Sequence, residues 1–447
     1  MQTPFFDAMA ALAARHLRFF VPGHKGNPAA IGPFGPLLPY DLTEIDGADD
    51  LSCPSGPLAE SQRNMAKAYG SGATLYSASG STSCIQAMLT LFVGAAGSVV
   101  MARGCHVAAV RALALLDITP HWVPLQNGRP APADVDAALA QSRAKAVYIT
   151  SPDYYGRMAD VPAIAAACQK HGAALLVDNA HGAHLRFVTP NCHPLTLGAH
   201  ATADSAHKTL PCLTPAALLH LRDAALAGPA REALNLYSST SPSYLVLESL
   251  DLAAGLLLAA PPNFDAVAAR LGRIAEAAPG LAALCDDPLR LCLRPAAAGL
   301  AYADVLAGLA AANLAPEYAD GSTLVLMASP WNTTADFDIL EATLKQILHI
   351  SGQYDKNIMS FQDYSAETKN TANTAAPPLP RQVCTTRQAL FAPRERLPLA
   401  AAAGRVMAGL HAPCPPGVPV VLPGEAIGPA EVAALASGGI LAVDVVK

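Results

Sequence analysis

The sequence predicts an α/β protein with a large domain on a mainly parallel sheet, a smaller α/β domain and a short C-terminal domain. Three observations predict this. From about residue 70 to 222, short apolar runs alternate with segments of helical period, the pattern of an open α/β layer. A second apolar-periodic region repeats helix and strand signals on a smaller scale up to residue 350. A polar stretch without periodicity then ends in prolines, and a compact Pro- and Gly-rich module follows. At 447 residues the chain exceeds one ordinary core, in keeping with two or three domains.

Residues 1–40 read as an N-terminal arm. Asp7 precedes its short apolar run and Arg15 and Arg18 follow it, the reverse of a secretory leader, so the segment is expected to belong to the mature fold. The large domain, 41–255, has expected strands at 74–78, 98–102, 145–150, 173–177 and 216–221. Helices are expected between them at 83–92, 106–116 and 161–170. The small domain, 256–350, carries helices over 264–277, 302–312 and 337–348 and strands over 289–293 and 323–327. Residues 351–383 read as a linker and 384–447 as the C-terminal domain, where CPPGVPVVLPGEAI reads as turn, strand, turn.

Composition excludes several classes. The hydrophobic fraction of 52% is mostly alanine and leucine in helix-like runs, and the apolar stretch 252–260 stops at Pro261 and Pro262, short of the roughly 20 residues that span a bilayer. No membrane span is expected. Net charge is -6, so there is no basic footprint for nucleic acid, and a small-molecule substrate is the default. The ten cysteines form no C-x-x-C pair, which fits neither a disulfide framework nor a zinc ribbon and suits a reducing cytoplasm.

The chemistry is expected beyond the carboxyl ends of the strands, where ligands gather in open α/β sheets. The strand in AALLVDNAHGAH ends in Asp178, with His181 and His184 close behind. A carboxylate there can keep a heteroaromatic ring nitrogen protonated, so that the ring withdraws electrons. Thirty residues on, ADSAHKTL clusters Ser205, His207 and Lys208 ahead of another strand. A lysine in a partly buried loop beside a histidine is suited to imine chemistry. In SASGSTSCIQAM a strand runs into Gly80, Ser81 and Thr82 at a helix start, where backbone N–H groups and hydroxyls suit a phosphate. His106, in RGCHVAAV after the strand SVVMA, is placed to stack on a ring. Singly these residues read as a surface lysine, a strand-end cap, core histidines and an ordinary helix start. Their succession at consecutive strand ends favours one cofactor site.

These segments resemble the bacterial ornithine/lysine/arginine decarboxylases of the aspartate-aminotransferase type of pyridoxal-phosphate fold. FFVPGHKGN, YDLTEIDGADDL, SPDYYG, DNAHGAH, SAHKTL, STSPSY and PPGVPVVLPGE carry the resemblance over nearly the whole chain. It is to the short form of the family, without the extra N-terminal domain of the long acid-stress members. Ile85 or Gln86 stands where the family usually has an asparagine. The resemblance implies pyridoxal 5'-phosphate as cofactor, Lys208 as its imine lysine, Asp178 as the pyridinium partner and His106 stacked on the ring. Ser81, Thr82 and Ser205 match phosphate contacts, and Ser239 of STSPSY a contact donated by a neighbouring subunit; His181, close behind Asp178, is read from its position as a further cofactor contact. A homodimer or higher homo-oligomer follows, as does release of carbon dioxide from arginine, lysine or ornithine, with His207 or Lys208 returning a proton to the α-carbon.

For the substrate's distal cation the candidates are Glu425, Asp49 and Asp50, with Tyr155 as a further substrate contact. Two other readings stand beside this one. Another pyridoxal-phosphate reaction, transamination or aldol cleavage, would use the same cofactor residues. A metal hydrolase would use Asp178, His181, His184 and His106 as ligands, whereas the cofactor reading requires no metal.

Overall fold

A computed structural model describes residues 2–15, 17–350, 379–412 and 417–447. The large domain is built on seven strands: Ala73–Ser77 (β1), Ser98–Ala102 (β2), Thr119–Val123 (β3), Ala146–Thr150 (β6), Ala174–Asp178 (β7), Ala201–Asp204 (β8) and Ala217–Leu221 (β9). A two-residue hairpin, Leu125–Gln126 (β4) with Arg129–Pro130 (β5), lies outside this sheet. The order is β1-β9-β8-β7-β6-β2-β3. Neighbours from β3 across to β8 run parallel, and β9 runs antiparallel to both β8 and β1. Two reversals return β1 to the direction of β8, so the strand leading to Gly80 ends at the same edge as those leading to His106, Asp178 and Lys208.

Strands β3 and β8 were not among the sequence expectations. β3 contains Pro120 and His121, and β8 is only four residues long and ends in a carboxylate, so neither shows an apolar run. β8 forms because it is flanked by β7 and β9 and buried throughout.

Side-chain alternation divides the core. Val147 and Ile149 of β6 pack in one cluster with Val135, Leu139 and Ile164 of helices Pro132–Gln141 and Val161–Lys170. Tyr148 between them packs in another, with residues of helices Gly80–Phe92 and Val107–Leu116. A third core joins the N-terminal helix Pro4–Arg15, helices Pro57–Tyr69 and Tyr244–Ala259, and the small domain. Phe5, Met9 and Leu12 anchor the N-terminal helix there, whereas Leu17, Phe19, Val21 and Phe34 beyond it are exposed.

The small domain is an antiparallel sheet of Ala282–Leu284 (β10), Arg290–Leu293 (β11), Tyr318–Ala319 (β12) and Leu324–Met327 (β13), in the order β10-β11-β13-β12. Helices Phe264–Ala277, Tyr302–Ala311 and Thr334–Ile350 accompany it. In the C-terminal domain Arg394–Pro398 (β14) pairs with Ala442–Val446 (β15) around a core of Met407, Val421, Ile427, Leu435 and Val443. The strand expected in CPPGVPVVLPGEAI is not formed: residues 413–416 lie outside the described residues, and 417–422 form no strand. Gly417 has φ +69°, and Pro419 and Pro423 have no N–H to give a ladder. Residues 351–378 of the expected linker also lie outside the described residues, while Gln382 bridges to Glu425. Among the described residues no single helix is long and apolar enough to cross a membrane.

Candidate active site

A cavity of about 650 Å³ opens at the carboxyl edge of the large sheet, within the range usual for a small-molecule site. Ser81, Thr82, His106, Asp178, His181, Ser205, His207 and Lys208 all line it.

At one end, helix Gly80–Phe92 starts on the cavity wall with Gly80 at φ +74°. The first N–H groups of a helix have no intrahelical acceptor and carry the positive end of its dipole, so this end suits an anion. Ser205 donates to the Ser81 hydroxyl at 2.8 Å, joining the two hydroxyl-bearing turns at that end.

Asp178 closes β7 with almost no solvent exposure. It accepts from Ala180 N–H at 3.1 Å and the Tyr148 hydroxyl at 3.2 Å. Burial raises its pKa above the usual carboxylate range, against the lowering pull of His106, the Ala180 N–H, Lys208 and Tyr148. Such a carboxylate gains most from a cationic hydrogen-bond partner within the cavity, which a protonated ring nitrogen would be.

His106 is the N-cap of helix Val107–Leu116, its Nδ1 accepting from Ala108 N–H at 3.2 Å. The ring's proton therefore sits on Nε2 while the imidazole is neutral. Burial lowers its pKa and Asp178 opposes that. The C-terminal domain covers this residue: Val107 N–H donates to the Gly417 carbonyl, and a Cβ on Gly417 would lie 2.8 Å from His106 Nε2. Only glycine allows that approach.

Lys208 Nζ is 2.9 Å from His181 Nε2, with the Tyr154 ring centroid at 6.0 Å. His207 donates from Nδ1 to the Ala216 carbonyl at 2.8 Å, which leaves the Nε2 lone pair for other chemistry. Burial lowers the His207 pKa, as does Lys208.

The strand ends are tied from behind. Asp204, fully buried at the end of β8, accepts from Asn179 Nδ2 at 2.7 Å and His193 Nε2 at 2.9 Å. This fixes the residue after Asp178 to the residue before Ser205. His193, Asp204 and His220 stand close enough together to resemble a metal site. However, His193 Nδ1 accepts the Leu195 N–H at 3.3 Å, so Nε2 carries the proton and donates it to Asp204.

Other expected residues lie elsewhere. Glu425, expected to meet the substrate's cation, is instead buried, paired with Arg103 at 2.5 Å and 3.2 Å, accepts from Leu422 N–H and does not line the cavity. Asp49 accepts N–H groups of Gly56, Leu58 and Ala59, capping helix Pro57–Tyr69, and Asp50 accepts from Ser52 N–H. Neither lines the cavity. Tyr155 does, but its hydroxyl donates to Asp320 at 2.7 Å and its ring lies under Arg157, so Tyr154 is the tyrosine beside Lys208. Ser239 is exposed, among the described residues bonds only Ser241, and is not on its own chain's cavity. The metal-hydrolase set does not converge, because His184 Nε2 bonds Asp287 and His181 lies between Lys208 and Arg290.

Sequence reasoning missed Tyr154 and Arg290. The first was legible as the neighbour of Tyr155 in SPDYYG; nothing local marked the second.

A lysine, a buried strand-end carboxylate and a helix N-terminus meet at one edge of a mainly parallel sheet, and the fold is that of the pyridoxal-phosphate-dependent transferase-like α/β class. The chain belongs to the Orn/Lys/Arg decarboxylase family and is an amino-acid decarboxylase: the family's major domain matches residues 3–261 and its C-terminal domain residues 369–436. It is 29% identical over 456 residues to the uncharacterized protein YaaO of Bacillus subtilis, covering 96% of this chain and 92% of that one. To the arginine decarboxylase of the same organism it is 27% identical over 458 residues, covering 95% and 91%. The solved lysine decarboxylase A of Pseudomonas aeruginosa shares the fold with a TM-score of 0.80 at 18% identity, over 99% of this chain and 80% of that one.

Proposed function

We propose that the protein removes carbon dioxide from a basic amino acid, with arginine and lysine ahead of ornithine, and that pyridoxal 5'-phosphate is held through Lys208. The observation that carries this reading is that one cavity is lined by three groups: a helix N-terminus, a buried carboxylate and a lysine amine. They match, in turn, a phosphate, a ring nitrogen and a carbonyl. When bound, the cofactor supplies an electron sink for the pair left on the α-carbon as carbon dioxide departs.

The chain's own residues do the rest. The start of helix Gly80–Phe92, with Ser81, Thr82 and Ser205, anchors the phosphate. Asp178 holds a proton at the ring nitrogen. His106, backed by Gly417, offers its face to the ring. His207, with Nδ1 committed to the Ala216 carbonyl, keeps Nε2 for proton return to the α-carbon, a role the Lys208 amine would share. The arginine decarboxylase relative favours a cationic side chain on the substrate.

Ser239, exposed and away from its own cavity, fits the phosphate contact donated across a homodimer, and the exposed apolar side chains at Leu17, Phe19, Val21 and Phe34 fit a surface covered by another copy. The cytoplasm suits nine described cysteines that are all free.

The test is to incubate the purified protein with arginine, lysine, ornithine, glutamate and tyrosine in turn, and to measure carbon dioxide and the amine formed. One of the three basic amino acids is expected to react fastest, and faster turnover of glutamate or tyrosine would overturn the substrate class. Borohydride treatment of the loaded protein is expected to fix the cofactor's mass on Lys208. An adduct on another lysine would overturn the assignment.

A further inference from the structure

Arg290 opens β11 of the small domain, yet its side chain is fully buried and ends at His181, whose imidazole separates it from the large domain's Lys208. Nε donates to Asp287 at 3.1 Å, one terminal nitrogen to the Tyr154 carbonyl at 2.8 Å and the other to His181 Nδ1 at 2.7 Å. Asp287 in turn holds His184 at 2.9 Å and the Leu289 N–H at 3.0 Å, so the guanidinium is fixed in position. Its path runs tight against Gly156, where a Cβ would come within 2.9 Å of Arg290 Cδ.

A guanidinium has donors and no acceptor, so His181 Nδ1 must accept. A neutral imidazole has one N–H and one lone pair, and the N–H is therefore on Nε2. That hydrogen faces Lys208 Nζ at 2.9 Å. An ammonium group has no lone pair to receive it, whereas an amine has one. The alternative, an imidazolium at His181, is opposed by burial first and also by the fixed charge of Arg290, and the His181 pKa lies well below the ordinary histidine value.

We propose that Arg290 is a positioning residue that locks His181 as the Nε2–H tautomer and so holds Lys208 in its nucleophilic amine form. This rests on the reading of Lys208 as the residue that takes the cofactor's carbonyl. The arrangement supplies that amine before any cofactor arrives.

The experiment uses the full chain with cofactor removed, so its outcome is separate from the borohydride test of Lys208's role. Nitrogen-15 NMR of His181 in the wild-type protein is expected to show a protonated Nε2 and an unprotonated Nδ1; a proton on Nδ1 would overturn the proposal with no variant needed. Trace acetic anhydride then reports the amine directly: the Nζ lone pair forms the N–C bond, acetate leaves, and the nitrogen releases one proton to buffer. Mass spectrometry reads the extent at Lys208 against the chain's other lysines. At pH 7, labelling of Lys208 is expected to fall at least about tenfold in Arg290→Met, the size of effect that ~1.4 kcal/mol in protonation would give. Arg290→Lys, which keeps a donor, is expected to stay within about threefold of wild type. Should Arg290→Met fail to fold with Asp287 left short of a partner, Arg290→Met combined with Asp287→Asn removes that charge and takes its place. Undiminished labelling in a folded variant lacking the donor would overturn the proposal.

Discussion

Asp178 shows how much a single residue's surroundings decide. Burial raises its pKa above the ordinary carboxylate value, and His106, the Ala180 N–H, Lys208 and the Tyr148 hydroxyl only partly offset this. Asp178→Asn keeps the size and removes the charge. Turnover is expected to fall by about 10² or more, the usual scale for losing an electrostatic partner at a reacting centre, while borohydride still fixes the cofactor on Lys208. Steady-state kinetics with mass spectrometry of the reduced protein checks both halves, and near-normal turnover would show that Asp178 is not the ring-nitrogen partner. Glu425 makes the opposite case. It was proposed from sequence because a carboxylate in a turn is chemically suited to a substrate cation, but the Arg103 fork already occupies both its oxygens. Removing one partner of a buried pair typically costs about 3–5 kcal/mol. Glu425→Gln is therefore expected to loosen the C-terminal domain from the β2 edge, seen as faster proteolysis between residues 379 and 447, rather than to raise KM selectively for one amino acid. Unchanged proteolysis together with a selective rise in KM would reverse that assignment.

At the scale of elements, helix Tyr244–Ala259 carries a titration of its own. Glu248 is buried on it with Oε1 unpartnered, and burial, then Asp41 and Asp251, push its pKa up to about 8 from an ordinary 4.5. Between those values the folded protein keeps a proton that the unfolded chain has released. Stability therefore falls as pH rises across that window, and the advantage of the protonated form is gone above the folded pKa. At about 1.4 kcal/mol per unit this amounts to at most a few kcal/mol. Glu248→Gln is expected to raise Tm by several degrees at pH 8.5 and hardly at all at pH 5; equal shifts at both would refute the titration.

Elements also mark where sequence reading works. The strands that lead to His106 and Asp178 were legible because each is an apolar run followed at once by polar residues. β8 was not, since ATAD has no run to see and is a strand only because two neighbours enclose it. That Lys208, Asp178 and His106 line one cavity was legible because strand ends gather at one edge. Arg290 could not, because its partner His181 is set by how the small domain packs, which no local pattern encodes.

For the whole molecule, the segment holding Ser239 is expected to complete the neighbouring subunit's site. Mixing a Lys208→Ala chain with a Ser239→Trp chain should then restore activity that neither has alone, because a hybrid dimer contains one site with both native residues. Sedimentation of the mixture at assay concentration should show a dimer or larger, and an active monomer would end this reading. The passage of Arg290 from one domain to the lysine of another has a consequence in time. Lys208 is synthesised well before Arg290, and all seven strands of the large sheet precede the small domain in the chain. If Arg290 sets the state of that amine, a nascent or refolding chain holds an intact pocket wall but a poor nucleophile until the small domain docks. Cofactor capture would then be a late event in maturation, reporting on assembly of the two domains rather than on folding of the sheet that carries the site.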